Sequence, residues 1–224
     1  MSAPTYERNI QSPKEIDDLV GELHSRAEDE GLTRLFLQHE EEQNIVRGRN
    51  QAMRHGGDVP EVKRRDGGKA WYHDDTKCFM IGLPDGNGKF REKYMEQWSN
   101  LIINELEELG YNAFMTGSDI YDAETGRQLI GLSGSNTDFT TVLRACWYED
   151  RPEINHLLEA DGIDTEEFHD AYDTVEGLYD RLTGKAEPES AGDSFISQEI
   201  REEERDYTTE PPGFEGSCIE RYPL

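Results

Sequence analysis

At 224 residues the chain has room for one sizeable domain with an appended terminal segment, and too little length for two full domains. Its 49 Asp and Glu residues against 23 Lys and Arg give a formal charge of -26, which disfavours nonspecific binding to nucleic acid or to an anionic membrane, since no long basic stripe exists to release counterions. It also lacks a run of about eighteen apolar residues and the N-terminal pattern of a signal peptide, so a soluble, cytoplasmic protein is expected.

Ser12-Pro13 opens a helix with Pro in its first turn, and Ile16, Leu19, Val20 and Leu23 recur at the spacing of one buried face as far as about Glu30. Leu32–Gln38 and Asn44–Arg47 read as short strands, and the acidic stretch His39–Glu42 between them predicts a hairpin or an exposed turn. Gly48–Gln51 ends the second strand, Gly56-Gly57 to Pro60 is a loop, and Val62–Arg65 is a further short strand. Trp71–Ile81 reads as a strand region broken by the polar Asp74–Lys77. Phe90–Leu109 carries the clearest helical period, through Tyr94, Trp98, Leu101, Ile102, Leu106 and Leu109, and Gly110 terminates it.

Three more strands are expected over Asn112–Asp122, Gln128–Leu132 and Thr140–Tyr148, the first two joined by Ala123–Arg127. Helices follow over Ile154–Ala160 and Thr165–Thr183, the latter capped by Asp164 or Thr165 and ended by Gly184. Glu187–Asp193 reads as a polar linker, followed by a short acidic helix and an irregular tail. Neighbouring strands interrupted by helices favour an α+β fold, a mixed β-sheet flanked by helices, over a parallel βαβ series. The domain is expected over residues 1–184, with an acidic tail over 185–224.

Only 7 of the basic residues are lysine and 16 are arginine, and the mean hydropathy is -0.87. Apolar residues nevertheless recur at regular intervals to about Leu182, which points to a folded domain with a very acidic surface. Such a surface suits a cytoplasm of high salt, where repulsion between carboxylates is screened within a few ångströms; an acidic mesophilic protein is the alternative. Cys78, Cys146 and Cys218 are odd in number and fall at no metal-ligand spacing, so neither a disulfide framework nor a zinc site is indicated, and buried, reduced thiols are expected. His24, His39, His55, His156 and His169 are dispersed and form no metal spacing. Trp98 lies at core spacing, and Gly82–Gly88 lacks the Gly-Lys-Ser/Thr ending of a phosphate loop, reading better as a turn before the long helix.

The segment Lys63–Asp74, K-R-R-D-G-G-K-A-W-Y-H-D, stands apart. Glycines let a backbone approach a ligand closely and take positive φ, so that main-chain N–H groups converge on a phosphate or carboxylate, while Lys63, Arg64 and Arg65 supply countercharge. A surface turn edged with basic residues is the competing reading.

Three segments, in order, resemble the lipoate-protein ligase A branch of the biotin/lipoate ligase and octanoyltransferase superfamily. Ile45–Gln51, I-V-R-G-R-N-Q, is similar to the family's V-I-G-R-N-Q element, and Lys63–Asp74 to its R-R-x-S-G-G-G-A-V-Y-H-D loop. Gly126–Gly131, G-R-Q-L-I-G, is similar to its G-R-K-I-S-G strand, and Glu199–Thr209 looks like its closing acidic helix. The resemblance implies a biotin/lipoate ligase catalytic-domain-like fold. It also implies an enzyme that activates lipoate or octanoate with ATP and Mg to an acyl-adenylate, then passes the acyl group to a lysine of a lipoyl domain. The acceptors it implies are 2-oxoacid dehydrogenase E2 or the glycine-cleavage H protein; biotin is a less favoured substrate.

By position the resemblance assigns substrate and adenylate binding to Arg49, Arg64, Arg65, Gly67, Gly68, Ala70, His73, Asp74 and Gly131, with no metal ligands of the protein's own. The family's lysine, which touches both carboxyl and phosphate oxygens, falls on Gln128, which carries no charge. Asp66 stands where the family has Ser, Lys69 where it has Gly, and Leu143–Cys146 near an H-G-[ST]-L stretch. These departures leave open a rewired ligase, with Lys69 supplying the missing cation from the opposite wall so that Lys69 and Gln128 are the catalytic candidates. They equally leave open an acyltransferase using a preactivated acyl group, or a noncatalytic paralogue binding an acyl group or a lipoyl domain. None of the three cysteines matches the acyl-carrying position of the octanoyltransferases.

Overall fold

The computed structural model describes residues 4–10, 13–39, 43–54, 58–64, 67–85 and 91–184. The expected linker and tail over 185–224, the acidic turn at 40–42 and the turn at 86–90 lie outside them, as do His55 and Cys218. Among the described residues ten strands and five helices run in the order β1 (Thr5–Ile10), α1 (Pro13–Glu30), β2 (Thr33–His39), β3 (Asn44–Arg47), β4 (Glu61–Lys63), β5 (Trp71–His73), β6 (Thr76–Pro84), α2 (Arg91–Glu108), β7 (Ala113–Thr116), β8 (Asp119–Asp122), β9 (Gln128–Asn136), β10 (Thr140–Tyr148), α3 (Asn155–Asp161), α4 (Thr165–Ala171) and α5 (Leu178–Thr183).

A seven-stranded mixed sheet runs β1-β2-β6-β10-β9-β8-β7, antiparallel throughout except for the parallel β1–β2 pair. A second, three-stranded sheet runs β4-β3-β5. Successive side chains of a strand point to opposite faces, and β10 shows the consequence. Leu143, Ala145 and Trp147 join one core with α2 and α5, while Val142, Cys146 and Tyr148 join the other with α1, the small sheet, α3 and α4. The sheet is thus buried on both faces, with the small sheet as part of its second cover.

Each long helix buries the stripe its sequence period dictates. On α1 the stripe is Ile16, Val20, Leu23 and Ala27, and on α2 it is Tyr94, Trp98, Leu101, Ile102 and Leu106. Burying one such side chain contributes about 1.5–3 kcal/mol, so either stripe suffices to hold its helix on the sheet. Close approach of α1 requires Gly82 on β6, where a Cβ would stand 2.9 Å from the Leu23 carbonyl oxygen. Gly110, at φ 93°, closes α2, with its N–H on the Glu107 carbonyl and that of Tyr111 on the Leu106 carbonyl. No helix among the described residues is long and apolar enough to cross a membrane.

Three expectations are corrected, and the expected break after Trp71–His73 proves to be a change of sheet. β2 and β3 do not form a hairpin: β3 pairs with β4 in parallel and with β5 antiparallel, so the chain changes sheets between them. The region Trp71–Ile81 likewise divides between sheets, β5 in the small one and β6 in the large one, at Asp75 with φ 43°. Asn112–Asp122 is a β7–β8 hairpin turning at Gly117, φ 65°. Thr165–Thr183 is two helices, because the N–H groups of Asp173 and Val175 donate to the carbonyls of Gln128 and Tyr148 and peel the chain out of helical pairing. The Asp164 cap is present, its carboxylate accepting from the Glu167 N–H, and Gly184 closes α5.

Candidate functional site

The first two motif segments meet at two glycines. After β3 the chain turns tightly, the Gly48 N–H donating to Gln51 Oε1 at 3.0 Å and the Gln51 N–H to the Gly48 carbonyl at 2.9 Å. A Cβ at Gly48 would overlap the carbonyl of Gly68, so the turn and the glycine loop are in contact only because Gly48 has no side chain. Gly68 itself adopts φ 96°, open to glycine at little cost, and a Cβ there would stand 2.6 Å from an Arg64 terminal nitrogen.

Arg64 explains how the loop keeps its shape. Its guanidinium, 5% exposed, donates from Nη2 to the carbonyls of Gly67 at 2.7 Å and Lys69 at 2.8 Å, and from Nε to Gly67 at 3.1 Å. One fork thus ties both ends of Gly67–Lys69 to the end of β4, and each such bond from a charged donor contributes about 1.5–3 kcal/mol.

Between this loop and the large sheet lies a cavity of about 20 Å³, room for one water molecule. Arg64, Lys69, Ala70 and Trp71 form its loop side; Asp119 of β8, Gln128, Gly131, Leu132 and Ser133 of β9, Arg144 and Cys146 of β10, and Tyr172 form the rest. Gly131 admits the Trp71 ring, whose Cζ3 lies 2.5 Å from where a Cβ would be. Trp71 stacks on Tyr148 at 5.0 Å and meets Tyr172 edge-on at 6.0 Å, closing the floor with aromatic surface.

The charges are unevenly arranged. Lys69 reaches across the mouth to Asp119, Nζ to Oδ2 3.8 Å, with 76% of its side chain exposed. Burial raises the Asp119 carboxyl above the usual carboxylate range, against the opposing pull of Lys69, the Leu132 backbone N–H and Arg64. Arg144 is 3% exposed and donates from Nε to Ser133 Oγ at 3.2 Å. Gln128 is buried at the start of β9, and its carbonyl accepts the Asp173 N–H.

Of the residues the sequence singled out, Arg64, Lys69, Ala70, Gln128 and Gly131 share the cavity, and Gly67 and Gly68 shape the loop beside it. Arg49, His73 and Asp74 lie elsewhere. Arg49 is exposed in the β3 turn, and His73 is fully buried on β5 opposite Asn44. The Asp74 carboxylate acts as a latch, accepting from Gln43 Nε2 at 3.1 Å and from the Glu153 N–H at 2.6 Å. Arg65 and Asp66 lie outside the described residues.

Cys78 and Cys146 are buried and stand directly opposite each other on β6 and β10; burial pushes the Cys78 thiol well above its usual range. His24 lies within hydrogen-bond distance of Thr140 Oγ1, 2.7 Å, and Ser135 Oγ, 3.1 Å, and joins α1 to the β9–β10 end of the sheet. Among the described residues no group of three or more His, Cys, Asp or Glu side chains converges as metal ligands would.

Sequence reasoning missed Trp71, Asp119, Ser133, Cys146 and Tyr172 as cavity walls and treated Arg144 only as part of a departing stretch. Arg144 did carry a signal: it is one charge inside the otherwise uncharged strand T-T-V-L-R-A-C-W-Y. Tyr172 reaches the cavity only through the chain reversal after α4, which local pattern does not encode.

No protein-family model matches the sequence, and no curated protein matches it. Solved structures do. A chain from an archaeal lipoylation system of Thermoplasma acidophilum, comprising a bipartite lipoate protein ligase and its E2 lipoyl domain, superposes with a TM-score of 0.57 at 13% identity, covering 83% of this chain and 91% of that one. Lipoate-protein ligase A bound with ATP gives 0.56 at 14% identity, over 83% and 94%. LipL1 of P. falciparum in complex with lipoate gives 0.57 at 16% identity, over 84% and 59%. The mixed sheet, the helices on both its faces and these superpositions together establish that this chain has the lipoate-protein ligase fold.

Proposed function

We propose that the protein is a lipoate-protein ligase-like enzyme of a high-salt cytoplasm, attaching a lipoyl or octanoyl group to a lysine of a lipoyl domain through an acyl-adenylate. The observation that carries this reading is the concentration of positive charge: in a chain of net charge -26, Arg64, Lys69 and Arg144 line one cavity in which Asp119 is the one carboxylate among the described residues. Fixed cations in a mostly buried site suit a ligand whose phosphate gains charge as the carboxylate attacks. The donor set suits a phosphate oxygen of ATP at the cavity's edge, with Arg64, Arg144 and Lys69 as the residues to face it; the enclosed space of about 20 Å³ admits no larger part of the nucleotide. Mg would enter with the nucleotide, since it is commonly held by substrate phosphates and water.

The roles follow from position. Arg64 holds the Gly67–Lys69 backbone against the cavity, and Gln128 offers an amide donor from the facing strand. The T. acidophilum ligase was solved as a system with an E2 lipoyl domain, which supports a lipoyl domain as acceptor here. Incubation with ATP, Mg, lipoate or octanoate and a purified lipoyl domain at high salt, read by intact mass, tests the reading; the expected result is one acyl adduct on the domain.

A noncatalytic binding protein is the second reading, and the uncharged Gln128 favours it. It predicts retained binding of octanoate or AMP without any adduct. An acyltransferase using a preactivated acyl group would give the adduct from octanoyl thioester without ATP.

A further inference from the structure

We propose that the exposed basic surface beside the small sheet, formed by Arg49, Arg54, Lys63 and Lys69 around Met53, is the docking face for an acidic protein domain that carries the acceptor lysine. This assignment rests on the ligase reading above and deepens it by naming the surface that receives the acceptor. Residues 47–69 hold seven Lys or Arg and three Asp or Glu, a net charge of +4, while the rest of the chain carries -30. Two buried members of the segment serve the fold: Arg47 pairs with Glu61 and Asp161, and Arg64 holds the glycine loop.

Arg49, Arg54, Lys63 and Lys69 are instead exposed, and the fold gathers them. β3 and β4 run parallel with Arg47 opposite Lys63, so Lys63 and the Arg49 turn leave the small sheet at the same end. Gly48 touches Gly68, which makes neighbours of the residues that follow them, Arg49 and Lys69. Arg54 lies against the start of β4, its N–H donating to the Glu61 carboxylate at 3.0 Å, its guanidinium 3.4 Å from Asp161 and 62% of its side chain exposed. Beside it Met53 is 46% exposed, one of three exposed large apolar side chains among the described residues. Lys69 also lines the cavity, so the surface borders the mouth at which an acceptor lysine must arrive.

Methionine and arginine are enriched where proteins meet, and a methionine among cations suits a partner with apolar surface edged by carboxylates. The charge elsewhere sets the orientation. Partner domains of a high-salt cytoplasm carry acidic surfaces like this one, and juxtaposed like charges disfavour approach to the regions that hold the remaining -30. At about 1 M salt the Debye length is about 3 Å, so the cations act on carboxylates in contact with them, while salt does not weaken the burial of Met53. The probe is a purified acidic E2 lipoyl domain, isotope-labelled and titrated with the unlabelled full chain by NMR at about 0.5 M and about 3 M KCl. Wild type is compared with the double variant Arg49→Glu/Lys63→Glu, with Met53→Ser, and with Arg8→Glu as control. Arg8 lies on β1, at the edge of the large sheet remote from β8 and β9, with 51% of its side chain exposed.

The double reversal is expected to weaken binding at least about fivefold at the lower salt and less at the higher. Met53→Ser is expected to weaken it at least about threefold at both salts, and Arg8→Glu to change it less than about twofold. In acyl transfer the same losses fall on KM for the domain and leave kcat in place. Should the reversed pair fail to fold, Arg49→Gln with Lys63→Gln carries the same comparison, with a loss of at least about twofold. Wild type that does not bind the domain, a double variant that binds as wild type does, or an equal loss in Arg8→Glu would each overturn the proposal. A DNA duplex bound in preference to the domain and released by the double reversal would overturn it in favour of nucleic acid. Binding lost in the double variant without any acyl adduct from wild type retains the docking face and fails the proposed activity. Acylation with an unmoved KM does the reverse.

Discussion

Gly48 and Gly68 are in backbone contact: the Cα of Gly48 sits so close to the carbonyl of Gly68 that a methyl group could not be accommodated. This one contact joins the turn after β3 to the loop that Arg64 holds. The obstructing atom is backbone, so Gly48→Ala must displace the loop. The expected loss is about 1–3 kcal/mol of unfolding free energy, measured by urea denaturation. A variant as stable as wild type would show that the turn and loop are not packed together in solution.

How far the chain could be read from its sequence follows from which signals are local. α1, α2, β3 and β10 lie within two residues of their expected limits, because their apolar spacing is set by the helix period or by burial on both faces. β1 was not foreseen, since its T-Y-E-R-N-I pattern is mostly exposed and its one strand partner among the described residues is β2, more than twenty residues away. The strands of the small sheet were expected but their pairing was not: β3, β4 and β5 are 3 or 4 residues each and meet only through long-range partners. At the site, Arg64, the glycines and Gly131 were legible because tight backbone approach demands particular residue types. Asp119 and Tyr172 were not, because ordinary residues become cavity walls only through topology.

Lys69→Ala tests the pair across the cavity mouth. Burial already raises the Asp119 carboxyl and Lys69 opposes it, so removing the lysine moves its titration further upward. A carboxyl raised on folding favours the protonated native state, so the variant gains stability relative to wild type as pH falls through that range. Carboxyl NMR titration of Asp119 reads the change. An unaltered curve would mean that the 3.8 Å contact is not populated and that Lys69 is available to ligand.

Asp161 gives the opposite pH dependence. Burial alone would raise it, but hydrogen bonds from Arg47 and Tyr72, with the charges of Arg47 and Arg54, bring it down to about 2. A carboxyl depressed on folding stabilises the protein above its unfolded value of 3.8, and that contribution is lost as pH falls through about 2. The shift corresponds to about 2 kcal/mol, held in a buried cluster where Arg47 also meets Glu61. Asp161→Asn is expected to flatten the acid limb of stability between about pH 4 and about pH 2, seen in denaturant titrations across that range. An acid limb identical to wild type would assign the pH sensitivity to other carboxylates.

Cys78 bears on the acyltransferase alternative. Nucleophilic sulfur must be thiolate, and burial first, then the neighbouring Cys146 thiol, keeps Cys78 protonated against the pull of Arg144 and Arg64. Alkylation of Cys78 by iodoacetamide, followed by peptide mass mapping, is therefore expected only after unfolding. Modification of the native protein at the rate of an exposed thiol would show that β6 and β10 open and would make Cys78 a candidate acyl carrier.

Gln128→Lys places a fourth cation beside Arg64, Lys69 and Arg144 around a cavity of about 20 Å³. Gln128 is 6% exposed, so the new ammonium would lose hydration and face like charges, with Asp119 as the one carboxylate of the cavity among the described residues. Burial and neighbouring cations both lower a lysine pKa, and the expected cost is about 1–3 kcal/mol at neutral pH, shrinking as pH rises and the amine is released from its proton. A bound anion offsets the same repulsion, so AMP should raise the melting temperature of Gln128→Lys more than that of wild type. Thermal melts at neutral and alkaline pH, with and without AMP, measure both effects. A variant as stable as wild type at every pH, with no added response to AMP, would mean that position 128 does not face the cationic cavity, and the electrostatic reading of the site would fall with it.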